Sequence, residues 1–208
     1  LNAAPDLVHS TQPLSDQAIM ARLGAPDRKP EGWFFPDTYR YDKRSDDIEV
    51  LQRAMVAMQK QLDGIWQGRA ANLPLKSPYE LLILASIVEK ETGTAGDRAQ
   101  IAGVFINRLR KGMRLQTDPT VIYGMGDRYD GNIRKGDLQR DTPHNTYTRS
   151  GLPPTPICMP GLASLQAAAH PASTDALYFV ARGDGSSQFS ATLDDHNRAV
   201  NQYQRGQP

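Results

Sequence analysis

The chain has 208 residues, enough for one domain with a sizeable core. Hydrophobic residues make up 39% and charged residues 23%, and the net charge of +1 leaves no electrostatic footprint for a polyanionic partner such as nucleic acid. No run of 18 or more apolar residues occurs and no signal peptide is visible, so no segment reads as a membrane span. Leu1 opens the chain in place of Met, so the sequence reads as part of a longer protein.

Residues 1–30 are polar and loop-rich, with a short helix predicted from Ser15 to Leu23 and no core of their own. Trp33, Phe34, Phe35, Tyr39 and Tyr41 then cluster around Pro36. They suit a sugar-stacking wall or a hydrophobic anchor for the N-terminal arm, and composition favours the anchor. From Ser45 to Trp66, Ile48, Leu51, Met55, Met58, Leu62 and Ile65 recur at helical spacing, with Asp46 and Asp47 suited to the helix start.

Ser77-Pro78-Tyr79-Glu80 is a strong helix start: Ser77 caps, Pro78 suits the first position, and Glu80 completes a capping box. The helix is predicted to run to about Thr92, with Gly93 as its stop. It is apolar almost all round yet ends in two carboxylates, Glu89 and Glu91. At 100° per residue, Leu81, Leu84, Ile87, Val88 and Glu91 share one arc, while Glu89 points to the other side near Leu82. Glu91 therefore lies on the most apolar stripe, at a helix C-terminus where the dipole disfavours negative charge. Both effects push a carboxyl toward its protonated form, as a general acid requires. A surface Glu at a frayed helix end, or one paired with Arg98 or Arg108, fits the same pattern.

A further helix is predicted from Arg98 to Lys111, with Ile101, Val104, Phe105 and Leu109 inward, Arg108 suited to its end and Gly112 as its stop. Met113 to Thr120 reads as a polar loop or tight connector, Val121 to Tyr123 as a short apolar piece, and residues 127–150 as surface. Leu162 to Ala169 is a small Ala-rich helix. Leu177–Val180 and Gln188–Ala191 form a hairpin around Gly183-Asp184-Gly185-Ser186. Thr192 with Asp195 caps a last helix to about Tyr203. The sum is an α+β fold with a helical majority and a small antiparallel sheet.

Cys158, the single cysteine, sits in a Pro-rich loop and reads as a passive thiol. His9, His144, His170 and His196 are scattered, so neither a metal site nor a cofactor is expected. Nucleotide-binding glycine loops and the G-x-S-x-G elbow do not occur. Four stretches, Glu31 to Tyr41, Leu81 to Glu91, Leu115 to Gly126 and Asn145 to Pro160, read as one dispersed active site.

These stretches carry a family resemblance. Glu31-Gly-Trp-Phe-Phe-Pro-Asp-Thr-Tyr39, Ala85-Ser-Ile-Val-Glu-Lys-Glu-Thr92, Val104-Phe-Ile-Asn-Arg-Leu109, Met113-Arg-Leu-Gln-Thr-Asp-Pro-Thr-Val-Ile-Tyr123, Asn145-Thr-Tyr147 and Gly151-Leu-Pro-Pro154 resemble the YceG-like family. Its bacterial members are the endolytic murein transglycosylases of the MltG type. The likeness extends over His170-Pro171, Tyr178-Phe179-Val180 and His196-Asn197 to the last helix. It implies cleavage of the β-1,4 bond between N-acetylmuramic acid and N-acetylglucosamine in peptidoglycan, leaving 1,6-anhydro ends. It implies a lysozyme-like logic built on one dominant carboxylic acid, with Glu91 as the catalytic residue. Gln116, Thr117, Asp118, Asn145 and Tyr147 become candidates for orienting N-acetyl groups and stabilising developing charge, with Tyr123 and Glu89 as further substrate-binding candidates.

By the same resemblance, residues 1–30 would be the truncated start of the catalytic domain and 31–208 its body. The partners would be glycan strands and peptidoglycan synthases. An N-terminal single-pass anchor outside this chain would hold the catalytic domain in the periplasm, at the inner membrane. His144, where family members often carry an aromatic, and Ile157-Cys158-Met159 depart from the family pattern. A hydrolytic glycosidase using Glu91 and Asp118, or a non-catalytic scaffold binding peptidoglycan or synthases, are the alternatives. A pyridoxal-phosphate lyase finds no support, because Lys90 has no phosphate cradle near it.

Overall fold

A computed structural model describes residue 1, residues 3–91, residue 94 and residues 96–206. The element order is α1 (Asp16–Arg22), α2 (Asp47–Gln67), α3 (Pro78–Glu91), α4 (Arg98–Arg110), α5 (Asp118–Met125), α6 (Lys135–Gln139), α7 (Leu162–Ala169), β1 (Tyr178–Ala181), β2 (Ser187–Ser190) and α8 (Leu193–Gln204). This is the α+β arrangement with a helical majority. Among the described residues, no helix is long and apolar enough to cross a membrane.

Helix α3 is the spine. Residues Leu81 through Val88 are all buried, so the helix has no solvent face along two turns. Each fully buried Leu or Ile contributes about 1.5–3 kcal/mol, so this helix supplies much of the core. The Ser77 hydroxyl accepts from the Glu80 amide at 3.2 Å, as a cap should. Glu80 reaches back to the amide of Lys76 at 2.5 Å, one residue earlier than a standard capping box. The expected stop at Thr92 and Gly93 lies outside the described residues.

Around α3 pack α7, α4 and α2. The Pro-rich loop of residues 153–160 docks on it through Ser86, whose hydroxyl donates to the Ile83 carbonyl at 2.7 Å and accepts from the Ile157 amide at 3.0 Å. Trp33 and Phe35 join this core, and Trp33 stacks on Tyr79 with ring centroids 5.7 Å apart. Trp33 and Phe35 thus serve as the anchor that composition favoured, while Tyr41 is exposed. Phe34 turns to a smaller core with Met20, Leu23 and Ala54, through which the first 30 residues rest on α2.

Two expectations need correction. The predicted connector from Met113 and the apolar piece at Val121 to Tyr123 overlap a helix, α5, with Thr117 at its N-cap and Pro119 in its first turn. Within the predicted surface stretch of residues 127–150, α6 is helical and Asn145 and Thr146 are buried. The remaining boundaries fall within two residues of their predicted places, including α7, the hairpin and Thr192 as the cap of α8.

Helix α4 holds the hairpin in place. The Asn107 amide donates to the carbonyls of Thr174 at 2.8 Å and Ala176 at 3.1 Å, and Arg108 Nε donates to the Leu177 carbonyl at 2.7 Å. Gly103 permits this approach, since a Cβ there would lie 2.8 Å from both the Ala172 carbonyl oxygen and Thr174 Cγ2. Elsewhere in a helix, Gly to Ala gains about 1 kcal/mol. At this position the overlap with backbone outweighs that gain. Gly103→Ala is expected to lower the thermal unfolding midpoint by roughly 2–10 °C. An unchanged or raised midpoint would contradict this packing.

Candidate active site

A cleft of about 710 Å³ opens where α3 ends. One side carries Glu91, Arg108, Leu115 to Asp118 and Tyr147, and the other carries residues of β1, Ser187 and α8. Glu91 lies in the last turn of α3, so the buried helix delivers its carboxyl directly to the cleft.

The loop before α5 is fixed by a closed ring of threonines. The Thr117 amide donates to Thr146 Oγ1 at 3.1 Å, and the Thr120 hydroxyl donates to the Thr117 carbonyl at 2.7 Å. The 2.8 Å contact between the Thr120 and Thr146 hydroxyls must then run from Thr146 to Thr120, because the Thr120 proton is already engaged. All three threonines are buried. Gln116 takes a left-handed φ of 50°, rare for a residue with a side chain, while its amide donates to the Thr146 carbonyl at 3.2 Å. Such conformations cluster at functional sites because the surroundings over-determine them.

The ring leaves the Thr117 hydroxyl free to donate to Glu91 Oε1. That holds one carboxyl oxygen against a neutral donor, at a residue that lines the cleft. Burial pushes Glu91 above the ordinary carboxylate value, and the Asp118 charge pushes it the same way. The Thr117 hydrogen bond and the Arg108 charge oppose them without reversing the direction.

Asp118 opens α5 and accepts from the Tyr147 hydroxyl at 2.5 Å. Burial raises the Tyr147 hydroxyl well above its usual range, and the Asp118 carboxylate raises it further, so it remains a donor. Asn145 is buried beneath this surface. Its amide donates to the Arg140 carbonyl at 2.7 Å and the Leu138 carbonyl at 3.1 Å, and its own oxygen accepts from the Tyr147 amide at 2.8 Å. It shapes the Tyr147 turn from below the cleft floor.

The four predicted stretches do not form one continuous surface. Gln116, Thr117, Asp118 and Tyr147 join Glu91 in the cleft. Tyr123, at the other end of α5, lines a second groove of about 500 Å³ with Glu31. Its ring lies 4.7 Å from that of His144, whose Nε2 is 2.9 Å from Thr155 Oγ1. Glu89 points away as the wheel predicted. Its Oε2 accepts from the Gly161 amide at 3.1 Å, at the N-cap of α7, where a carboxylate complements the helix dipole. Cys158 donates to the Ser86 carbonyl at 3.2 Å, and burial pushes its thiol up to about 12, as a passive thiol requires.

Two features of the cleft go beyond the sequence reading. Arg108, considered there as an ion partner of Glu91 and as a helix-end cation, follows Val104 by four residues and Ile101 by seven, so it lies on the inward stripe. Its side chain is buried and its Nη1 donates to the Leu115 carbonyl at 2.7 Å, which ties α4 to the cleft loop. The α8 wall was the other, signalled only by the pair His196-Asn197.

The unfolded chain returns Glu91 to its ordinary value near 4.5, so folding favours the protonated form. That contribution is complete below the ordinary value and is lost as pH rises through the raised one. Glu91→Gln keeps the acceptor for Thr117 and removes the charge. It is expected to melt about 2–4 °C above the wild type at pH 7, with the gap closing near pH 4. A variant melting below the wild type at pH 7 would contradict a desolvated carboxyl.

A family model described as the YceG-like family matches residues 4–202. An endolytic murein transglycosylase of Bacillus subtilis (strain 168) is 40% identical over 173 residues, covering 83% of this chain and 48% of that protein. One from Streptococcus pneumoniae serotype 2 is 33% identical over 203 residues, covering 94% of this chain and 35% of that protein. A crystal structure of a YceG-like protein from Listeria monocytogenes superposes with a TM-score of 0.74 at 33% identity, over 87% of this chain and 62% of that one. The chain spans about half or less of the length of the curated relatives it matches. With the family model covering nearly the whole chain and the fold shared with a solved member, the chain belongs to the YceG-like family.

Proposed function

We propose that the chain carries the catalytic domain of a lytic murein transglycosylase, with Glu91 as its single acid and base. The observation that carries this reading is the Glu91 carboxyl itself. It is desolvated, held by Thr117 through one oxygen, and lines a cleft. The names of the relatives from Bacillus subtilis and Streptococcus pneumoniae support the substrate class.

Protonated Glu91 donates to the glycosidic oxygen between N-acetylmuramic acid and N-acetylglucosamine as the bond to the anomeric carbon breaks. The resulting carboxylate accepts the proton of the muramoyl C6 hydroxyl, whose oxygen closes on the anomeric carbon. The products are a 1,6-anhydro-muramoyl end and a free C4 hydroxyl on the departing sugar, and Glu91 ends protonated. Because the nucleophile belongs to the substrate, one carboxyl suffices, unlike the two of most glycoside hydrolases. The tethered hydroxyl gains over water by proximity. Gln116, Thr117, Asp118 and Tyr147 surround the reacting centre in this reading, and the catalytic domain faces the cell wall.

Asp118 gives hydrolysis a specific footing as the second reading. Its charge acts on Glu91, and a second carboxylate could direct a water. Mass analysis of products from purified peptidoglycan separates the two. Anhydro ends from the wild type and a loss of about 10²–10⁴-fold in Glu91→Gln are expected. Reducing ends would replace transfer by hydrolysis, and full cleavage by Glu91→Gln would remove Glu91 from the chemistry.

A further inference from the structure

Opposite Glu91, the cleft wall made by β1 and α8 has a character of its own. Its lining residues include Tyr178, Val180, Leu193, His196, Asn197 and Val200, and among the described residues none on that side is charged. On α8 the lining positions 193, 196, 197, 200 and 204 recur at spacings of one, three and four, so they form one helical stripe. The stripe is only partly used for packing, through His196 on Tyr178. Ala199 is the one residue of α8 that is buried, and Leu193, on the stripe, is 54% exposed.

His196 is the pointed observation. Its ring stacks on Tyr178 with centroids 5.2 Å apart, and the Arg108 guanidinium lies 5.2 Å from the same Tyr178 ring, so the imidazole is held in register with the Glu91 side. Its Nδ1 is enclosed and has no hydrogen-bond partner among the described residues. Orphaned buried N–H groups are rarer than unpaired buried acceptors, which favours the tautomer with the proton on Nε2. Burial, then the nearby Arg108 charge, hold the ring below its usual value, which keeps it neutral at neutral pH. The wall thus offers a neutral N–H donor, the exposed amide of Asn197 and apolar Leu193 and Val200 beside them.

We infer that this wall binds the uncharged sugar backbone next to the bond being cleaved, with His196 Nε2 and the Asn197 amide on acetamido or hydroxyl groups and Leu193 and Val200 against the acetyl methyl. The inference rests on the proposed function and adds which part of the substrate the wall recognises. A stem peptide carries carboxylates and an ammonium group, which a wall without charge has nothing to pair with. The pyranose rings and acetamido groups are uncharged and match both its polar and apolar groups, while the muramoyl lactyl carboxylate, free once the stem is removed, hangs on the C3 oxygen outside these contacts.

Binding of peptide-free glycan strands to Glu91→Gln tests it, because cleavage is removed and recognition remains. His196→Phe keeps the stacked ring and deletes the donor, and Asn197→Ala alters an exposed side chain, so the latter decides if the former fails to fold. Each, added to Glu91→Gln, is expected to weaken strand binding about five- to tenfold with the melting temperature held. Free stem peptide is expected not to compete. In the otherwise wild-type chain each is expected to raise KM more than it lowers kcat. Unchanged strand binding in both variants, or competition by free stem peptide, would overturn the assignment of this wall. Failure of Glu91→Gln itself to bind any strand would instead remove the murein reading, and the wall assignment with it.

Discussion

The hydrogen bond from Thr117 to Glu91 joins the two halves of this molecule's chemistry. A carboxyl at the end of a buried helix has a desolvation cost that it meets in one of two ways, by pairing with a cation or by keeping its proton. Among the described residues no cation lies in ion-pair range of Glu91, and Thr117 satisfies one oxygen with a neutral donor. A neutral donor holds the carboxyl in place without forcing it to ionise. The acid is thereby both oriented and available.

Much of the fold can be understood as what keeps that contact fixed. Helix α3 is buried along its middle turns, so its last turn cannot shift without disturbing the core. The threonine ring sets the height of Thr117, and the left-handed Gln116 turns the chain into it. Asn145 supports the adjoining Tyr147 turn through main-chain carbonyls. Arg108 ties α4 to the cleft loop at Leu115 and to the strand lead at Leu177, so the two walls keep their spacing.

The choice between the two glutamates was legible in the sequence because helical geometry separates them. The wheel placed Glu91 on the apolar stripe and Glu89 away from it, and Glu89 caps α7 in the structure. The helix caps at Ser77 and Thr192 were equally legible, since capping chemistry is local. Asn145 was recognised from the resemblance, but nothing local said that its amide faces carbonyls of the α6 region. The Tyr123 groove escaped for a related reason. Leu115 to Gly126 looked like one loop, and only its becoming helix α5 sends Asp118 and Tyr123 to different surfaces. The α8 wall depends on how the hairpin folds back over α4, a contact between residues some 70 positions apart in sequence, such as Asn107 with Thr174 and Ala176. Arg108 was read as a partner for Glu91 or a helix-end cation; its spacing from Ile101 and Val104 marked it as inward, but that its guanidinium would bond the Leu115 and Leu177 carbonyls depends on distant chain.

The central claim is that the Glu91 carboxyl carries a proton beyond the range of an ordinary glutamate because it is desolvated in the folded chain. A ¹³C NMR titration of the glutamate carboxyls, with Glu91 assigned by the resonance lost in Glu91→Gln, tests it most directly. The predicted result is a midpoint clearly above the ordinary value near 4.5. A midpoint at or below that value would contradict the account.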